Sequence, residues 1–182
     1  MEHELFAGWD EFYLLAGSAA AVLIGLIFVV ITLLDDKPRS TITTGSRLYM
    51  GPIVLQVSFI LTLSAAALAP RITSAQFAVI TGMVALWGLY RAAVSTFGIE
   101  RLRRSTDDPP HWTDTWFYGV IPGLLSLLLA VVALEFWREE EAAQYGLAVV
   151  VTGLMLVSIR NEWDLVTWIA PRHDSKKQFS GD

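Results

Sequence analysis

The sequence contains no cysteine. That excludes disulfides, thiolate metal sites and a cysteine nucleophile together. Charge is scarce as well: Asp, Glu, Lys and Arg make up 17% of the 182 residues, against about 25% in typical soluble domains. The three histidines, His3, His111 and His173, form no His-Glu-x-x-His pair. Asp107–Asp114 (DDPPHWTD) can be drawn as a metal site, but a polar Pro-Pro loop is the plainer account. No P-loop, dinucleotide fingerprint or Gly-x-Ser-x-Gly elbow occurs. No apolar run carries the dense charge series of a proton relay or voltage sensor, and no TVGYG-like filter is present. These absences argue against an enzyme, with no catalytic residue, metal or cofactor expected, and against the well-known channel types. A net charge of −5 argues against a nucleic-acid partner, which would select a basic face.

Apolar residues are abundant, at 54% with a mean hydropathy of +0.50. That excludes a disordered chain, and a 20.1 kDa globule cannot bury so much apolar surface. The expected class is an all-α polytopic membrane protein with the lipid bilayer as its first partner. Charge-free runs cover Phe12–Leu34, Leu48–Pro70, Ile72–Tyr90, Thr115–Leu134 and Ala142–Ile159. A membrane helix needs about 20 such residues. The runs predict one domain over 1–182 with five spans near 12–34, 48–70, 72–97, 115–137 and 142–160. Asp35–Arg47 and Thr106–Asp114 read as loops, Ile99–Ser105 as a continuation of the third helix, and 171–182 as a polar cytoplasmic tail. Residues such as Ala19–Ile31 are apolar on every side, unlike alternating barrel strands. The acidic start, with Glu2, Glu4, Asp10 and Glu11, differs from a basic signal-peptide n-region and predicts a retained first span.

Alternate loops share a side. One side collects Lys37, Arg39, Arg47, Arg91, Arg101, Arg103, Arg104, Arg160, Arg172, Lys176 and Lys177; the other holds Arg71 and Arg138. The positive-inside rule then predicts an outer N-terminus and a cytoplasmic C-terminus. The outer side carries two basic and eight acidic residues, the inner side eleven and ten. The acidity is thus an outer-surface property, and the inner side mixes both signs densely.

Small residues recur at helical spacing: Gly17, Ala21 and Gly25 in the first span, Gly119, Gly123, Ser126, Ala130 and Ala133 in the fourth, and a looser set of Ala78, Gly82, Ala85, Gly88 and Ala92 in the third. Such stripes let backbones approach closely, within one bundle or in a homo-oligomer. Gln56, Ser58 and Thr62 are candidate pathway-lining residues, since polar groups in lipid are costly. Pro52 and Pro122 are candidate kinks.

Ile159–Ala170 (IRNEWDLVTWIA) is the most unusual segment. In one placement the fifth span ends near Ile159 and the later LVTWIA lies along the membrane or under the bundle. In the other, the span runs from about Leu147 to Ala170 with four polar residues inside the inner leaflet. The first is favoured. In both, Arg91, Arg160, Asn161, Glu162 and Asp164 form a candidate polar network, with Asp164 or Glu162 expected to pair with Arg91 or Arg160. Arg91, about 29 Å along from Ile72, lies at the inner hydrocarbon edge, where a snorkelling anchor is the plainer account and a buried ion pair the alternative.

Trp9, Glu11, Phe12, Ala19–Ala21, Gly25, Leu26, Phe28 and Val29, with the later Arg160–Trp168, carry a resemblance. The chain resembles a group of small, uncharacterised bacterial multi-pass membrane proteins, some bearing the transferred label modulator of FtsH protease. The resemblance implies a bacterial cytoplasmic-membrane protein. The expected function is a non-enzymatic regulatory or scaffolding partner of a second membrane protein; the alternative is a small homo-oligomeric channel or transporter.

Overall fold

The computed structural model describes residues 5–32, 50–105 and 112–169. The expected loop 35–47, most of 106–114, the tail 171–182 and all three histidines lie outside the described residues, as do Lys37, Arg39, Arg47, Arg172, Lys176 and Lys177. Among the described residues there are five long helices and no strand: α1 (Asp10–Thr32), α2 (Gly51–Ala67), α3 (Ser74–Ser105), α4 (Trp112–Trp137) and α5 (Ala143–Ile169). Of these, α1, α3, α4 and α5 are long and apolar enough to cross a membrane; α2 is apolar but spans only 17 residues.

Local chemistry explains the tight turns. Pro70 disfavours helix at the residue before it, and α2 stops at Ala67. Arg71 turns the chain with φ of 58°. Thr73 and Gln76 then start α3 reciprocally: the Gln76 N–H donates to Thr73 Oγ1 at 3.2 Å, and the Thr73 N–H donates to Gln76 Oε1 at 3.1 Å. This Thr-x-x-Gln capping box satisfies two helix-start donors. At the turn from α4 to α5, Glu139 adopts φ of 60°, the left-handed conformation that ends many helices.

Short turns make neighbours antiparallel, and glycines record the register. A methyl group at Gly88 of α3 would lie 3.1 Å from Ser126 Cβ of α4; one at Gly123 would lie 3.3 Å from Ala92 Cβ; one at Gly119 would lie 3.2 Å from Thr96 Cα. The numbers rise on α3 as they fall on α4. Gly146 and Gly153 of α5 meet Val132 and Leu125 of α4 in the same sense. Helix α2 packs on α1, α3 and α5, while α5 packs on α1, α2 and α4. Ile53, Val57, Ile60 and Leu63 of α2 and Leu147, Val150 and Leu154 of α5 therefore form the middle of the core.

The end holding both tight turns is closed by aromatic rings. Phe6, Tyr13, Phe77 and Phe136 are buried there, with ring centroids of Phe6–Phe77 and Phe77–Phe136 4.7 and 4.8 Å apart. Gln144 Nε2 ties the preceding segment down by donating to the Leu5 carbonyl at 2.6 Å.

Two expectations need correction. Leu165–Ile169 is not a separate segment along the membrane or under the bundle: α5 runs unbroken to Ile169, since no glycine or proline follows Gly153 before Pro171. The α1 stripe is only partly a packing face. A methyl group at Gly17 would lie 3.2 Å from Ser64 Cβ, whereas Ala21 is exposed and Gly25 has open space around it. The buried face of α1 is Tyr13, Ala16, Ala20 and Ile27, rotated away from that stripe.

Candidate functional site

Helix α4 is not α-helical throughout. Residues Trp116–Val120 form a π-helical turn, in which the Ile121 N–H donates to the Trp116 carbonyl five residues back. Pro122 supplies the cause, because it has no N–H and its ring crowds the carbonyl four residues earlier, that of Tyr118. The widened turn leaves the Phe117 carbonyl without its usual helical donor. Asn161 of α5 fills the vacancy, its Nδ2 donating to Phe117 O at 3.1 Å. The Tyr118 hydroxyl donates in return to the Asn161 carbonyl at 3.2 Å. Asn161 is fully buried, and this exchange satisfies a polar group that would otherwise be costly.

Arg160 lies beside it. Its guanidinium donates to Asn161 Oδ1 at 3.2 Å, pairs with Asp164 at 2.8 Å and covers the Phe117 ring at 3.5 Å from the centroid. Of the pairings considered from sequence, Arg160–Asp164 is the one formed among the described residues, with the i,i+4 spacing of one helix face. Glu162 points elsewhere: it is buried, and its Oε1 has no partner among the described residues.

Arg91 is not part of that network. It lies on α3 at the wall of a small cavity between α2, α3 and α4, closed on the α5 side by Leu154 and bordered also by Gln56, Tyr118, Ser126, Pro52 and Pro122. The water-accessible volume is about 20 Å³, room for a single water. Gln56 Oε1 accepts a long hydrogen bond, 3.4 Å, from Ser158 Oγ of α5.

Ser58 and Thr62 do not join Gln56 at that cavity. At about 100° per residue they are rotated some 200° and 240° from it. Each donates instead to its own helix, Ser58 to Val54 O at 2.7 Å and Thr62 to Ser58 O at 2.8 Å. Gly119, Gly123 and Ser126 do act as a packing surface, against Thr96, Ala92 and Gly88. Residue types alone did not reveal the roles of Phe117, Tyr118 and Ser158. The available signal was Pro122, which frees a carbonyl one turn earlier. Compared with protein-family models, curated proteins and solved structures, the chain matches none.

Proposed function

We propose that the chain is a five-span protein of the bacterial cytoplasmic membrane, with its N-terminus outside and its C-terminus in the cytoplasm. It acts without catalysis as a regulatory or scaffolding partner of a second membrane protein. The basic-residue asymmetry supports the orientation. Antiparallel packing of α2 between α1 and α3 supports a fifth crossing despite its length of about 26 Å. The resemblance of Trp9–Val29 and Arg160–Trp168 to small bacterial multi-pass proteins supports the location.

One observation carries the partner reading. Helix α3 has 32 residues, or about 48 Å, against a hydrocarbon core of about 30 Å. Measured from its start at the aromatic end, about its last three turns extend beyond lipid. That arm exposes Phe97, Arg101, Arg103 and Arg104, with Glu100 accepting from Arg104 Nε at 3.1 Å. An exposed pair of this kind contributes little stability, so the charges are available for recognition.

The test is a photo-crosslinker at Phe97 in native membranes. The expected product is a discrete adduct with a second membrane protein, lost on joint reversal of Arg101, Arg103 and Arg104 to Glu. Buried Gln56 beside a cavity favours the rival reading, a homo-oligomeric channel or transporter. Solute flux in proteoliposomes that changes with Gln56→Leu, without any adduct, would replace the partner reading with it.

A further inference from the structure

The cavity beside Arg91 has an unusual balance of hydrogen-bonding groups. Its wall includes one cation and no carboxylate. Both hydroxyls spend their protons inside the protein: Tyr118 donates to Asn161 O, and Ser126 donates to Pro122 O at 2.8 Å. The Gln56 amide engages Ser158 through its oxygen, and its nitrogen makes no hydrogen bond among the described residues. Arg91 has no ion-pair partner among them either. The donors left unused are a half-buried guanidinium and an amide N–H; the hydroxyl oxygens keep acceptor lone pairs, so it is the guanidinium, the one charge on the wall, that calls for an anionic counterpart.

Depth and surroundings identify the anion. Arg91 lies 17 residues after Ser74, about 26 Å from the aromatic end. In a core of about 30 Å that is just inside the headgroups of the opposite leaflet. One turn back toward the midplane, Trp87 is exposed beside Tyr90, their ring centroids 5.6 Å apart, and Val94 is exposed on the same face. A charged acceptor at Arg91 thus borders an apolar strip running toward the bilayer centre.

We infer that Arg91 and Gln56 form a binding site for the phosphate of an anionic phospholipid of the inner leaflet, with its acyl chains along Trp87. One phosphate oxygen enters the single-water space between the two donors, and the rest of the headgroup stays at the mouth. This inference rests on the membrane reading above.

The test releases the full chain from nanodiscs of equimolar phosphatidylglycerol and phosphatidylcholine and counts retained lipids by native mass spectrometry. Wild type should retain phosphatidylglycerol preferentially. Arg91→Gln should reduce that preference about tenfold, the scale of one charge-assisted contact. Arg91→Lys should keep most of it, and Arg138→Gln, at the exposed turn of the opposite end, should leave it unchanged. Equal retention of both lipids, or equal losses in the Arg91→Gln and Arg138→Gln proteins, overturns the inference. Displacement of the retained lipid by inorganic phosphate would assign the donors to a soluble anion and also overturn it. If Arg91→Gln does not fold, Gln56→Leu replaces it and should weaken the preference in the same direction. Carbonate washing of the source membranes separates the two failures: a chain that washes off refutes the membrane reading, whereas a retained chain without lipid preference refutes only the site.

Discussion

Substituting alanine for glycine should stabilise α1 and destabilise α4, and the structure sets the difference. In a helix the exchange gains up to about 1 kcal/mol through backbone entropy. At Gly25 nothing lies within 4 Å of the added methyl, so the gain stands alone. At Gly119 the methyl would sit 3.2 Å from Thr96 Cα and closer still to its hydroxyl. Backbone cannot move aside as a flexible side chain can, and overpacking costs about 1–3 kcal/mol. Gly123→Ala meets Ala92 Cβ at 3.3 Å and should fall between them. The expected order of stability is Gly25→Ala, wild type, Gly123→Ala, Gly119→Ala, read from reversible unfolding in mixed detergent–SDS micelles by circular dichroism. A double-mutant cycle sharpens the test. Gly88→Ala collides chiefly with the Ser126 hydroxyl, so Ser126→Ala should recover part of its loss, with a coupling of about 0.5 kcal/mol or more. If Gly119→Ala is as stable as Gly25→Ala, the α3–α4 seam is not the close backbone contact described above.

Three further outcomes can be measured. Asn161→Leu leaves the Phe117 carbonyl unpaired in a buried site and should cost about 1–3 kcal/mol by thermal unfolding in detergent; an unchanged melting temperature would mean the π-turn carbonyl finds another donor. Glu162→Gln removes a buried carboxylate whose Oε1 has no described partner, and should raise stability by about 1 kcal/mol in the same assay; a loss would point to a basic group outside the described residues. Because the chain has no cysteine, single-cysteine labelling has no background. Glu139→Cys should react with an impermeant maleimide in intact cells, and Arg104→Cys only after permeabilisation; the reverse pattern would refute the orientation.

Much of the helical layout was legible because apolar runs of membrane length need no register to be recognised. The α2–α3 turn was legible because Pro70 and Thr73-x-x-Gln76 act locally. Rotation about a helix axis was less legible in an apolar helix, where little distinguishes one face from another. Ala21 and Gly25 match Gly17 in spacing, yet Ala16 and Ala20 occupy the buried face. For Gly119, Gly123 and Ser126 the stripe was informative, because a complementary set on α3 lies opposite in antiparallel register. The Asn161–Phe117 bond lay beyond the sequence reading. It depends on a π-helical turn forming just before Pro122 and on α5 continuing past Ile159 at the same level.

The two ends of the bundle differ in how they are completed. At the aromatic end, rings fill the space between α1, α3 and α4, and the Ser74 hydroxyl ties α3 to the Phe136 carbonyl. At the other end, Asn161 and Arg160 find partners, but one charge of each sign is left over. Arg91 is level with Gln56 and Ser158 across the antiparallel helices, and Glu162 is one turn, about 6 Å, beyond Ser158. Opposite charges so near in depth would be expected to pair. They do not because Arg91 lines the cavity, which α5 borders only through Leu154, whereas Glu162 is buried on α5 away from its lining. Arg91 is only half-buried, at the cavity mouth, where a group from outside the described bundle can reach it. On the inference above its counterpart is an anion arriving there from the headgroup level, so recognition belongs at this end rather than at the aromatic one.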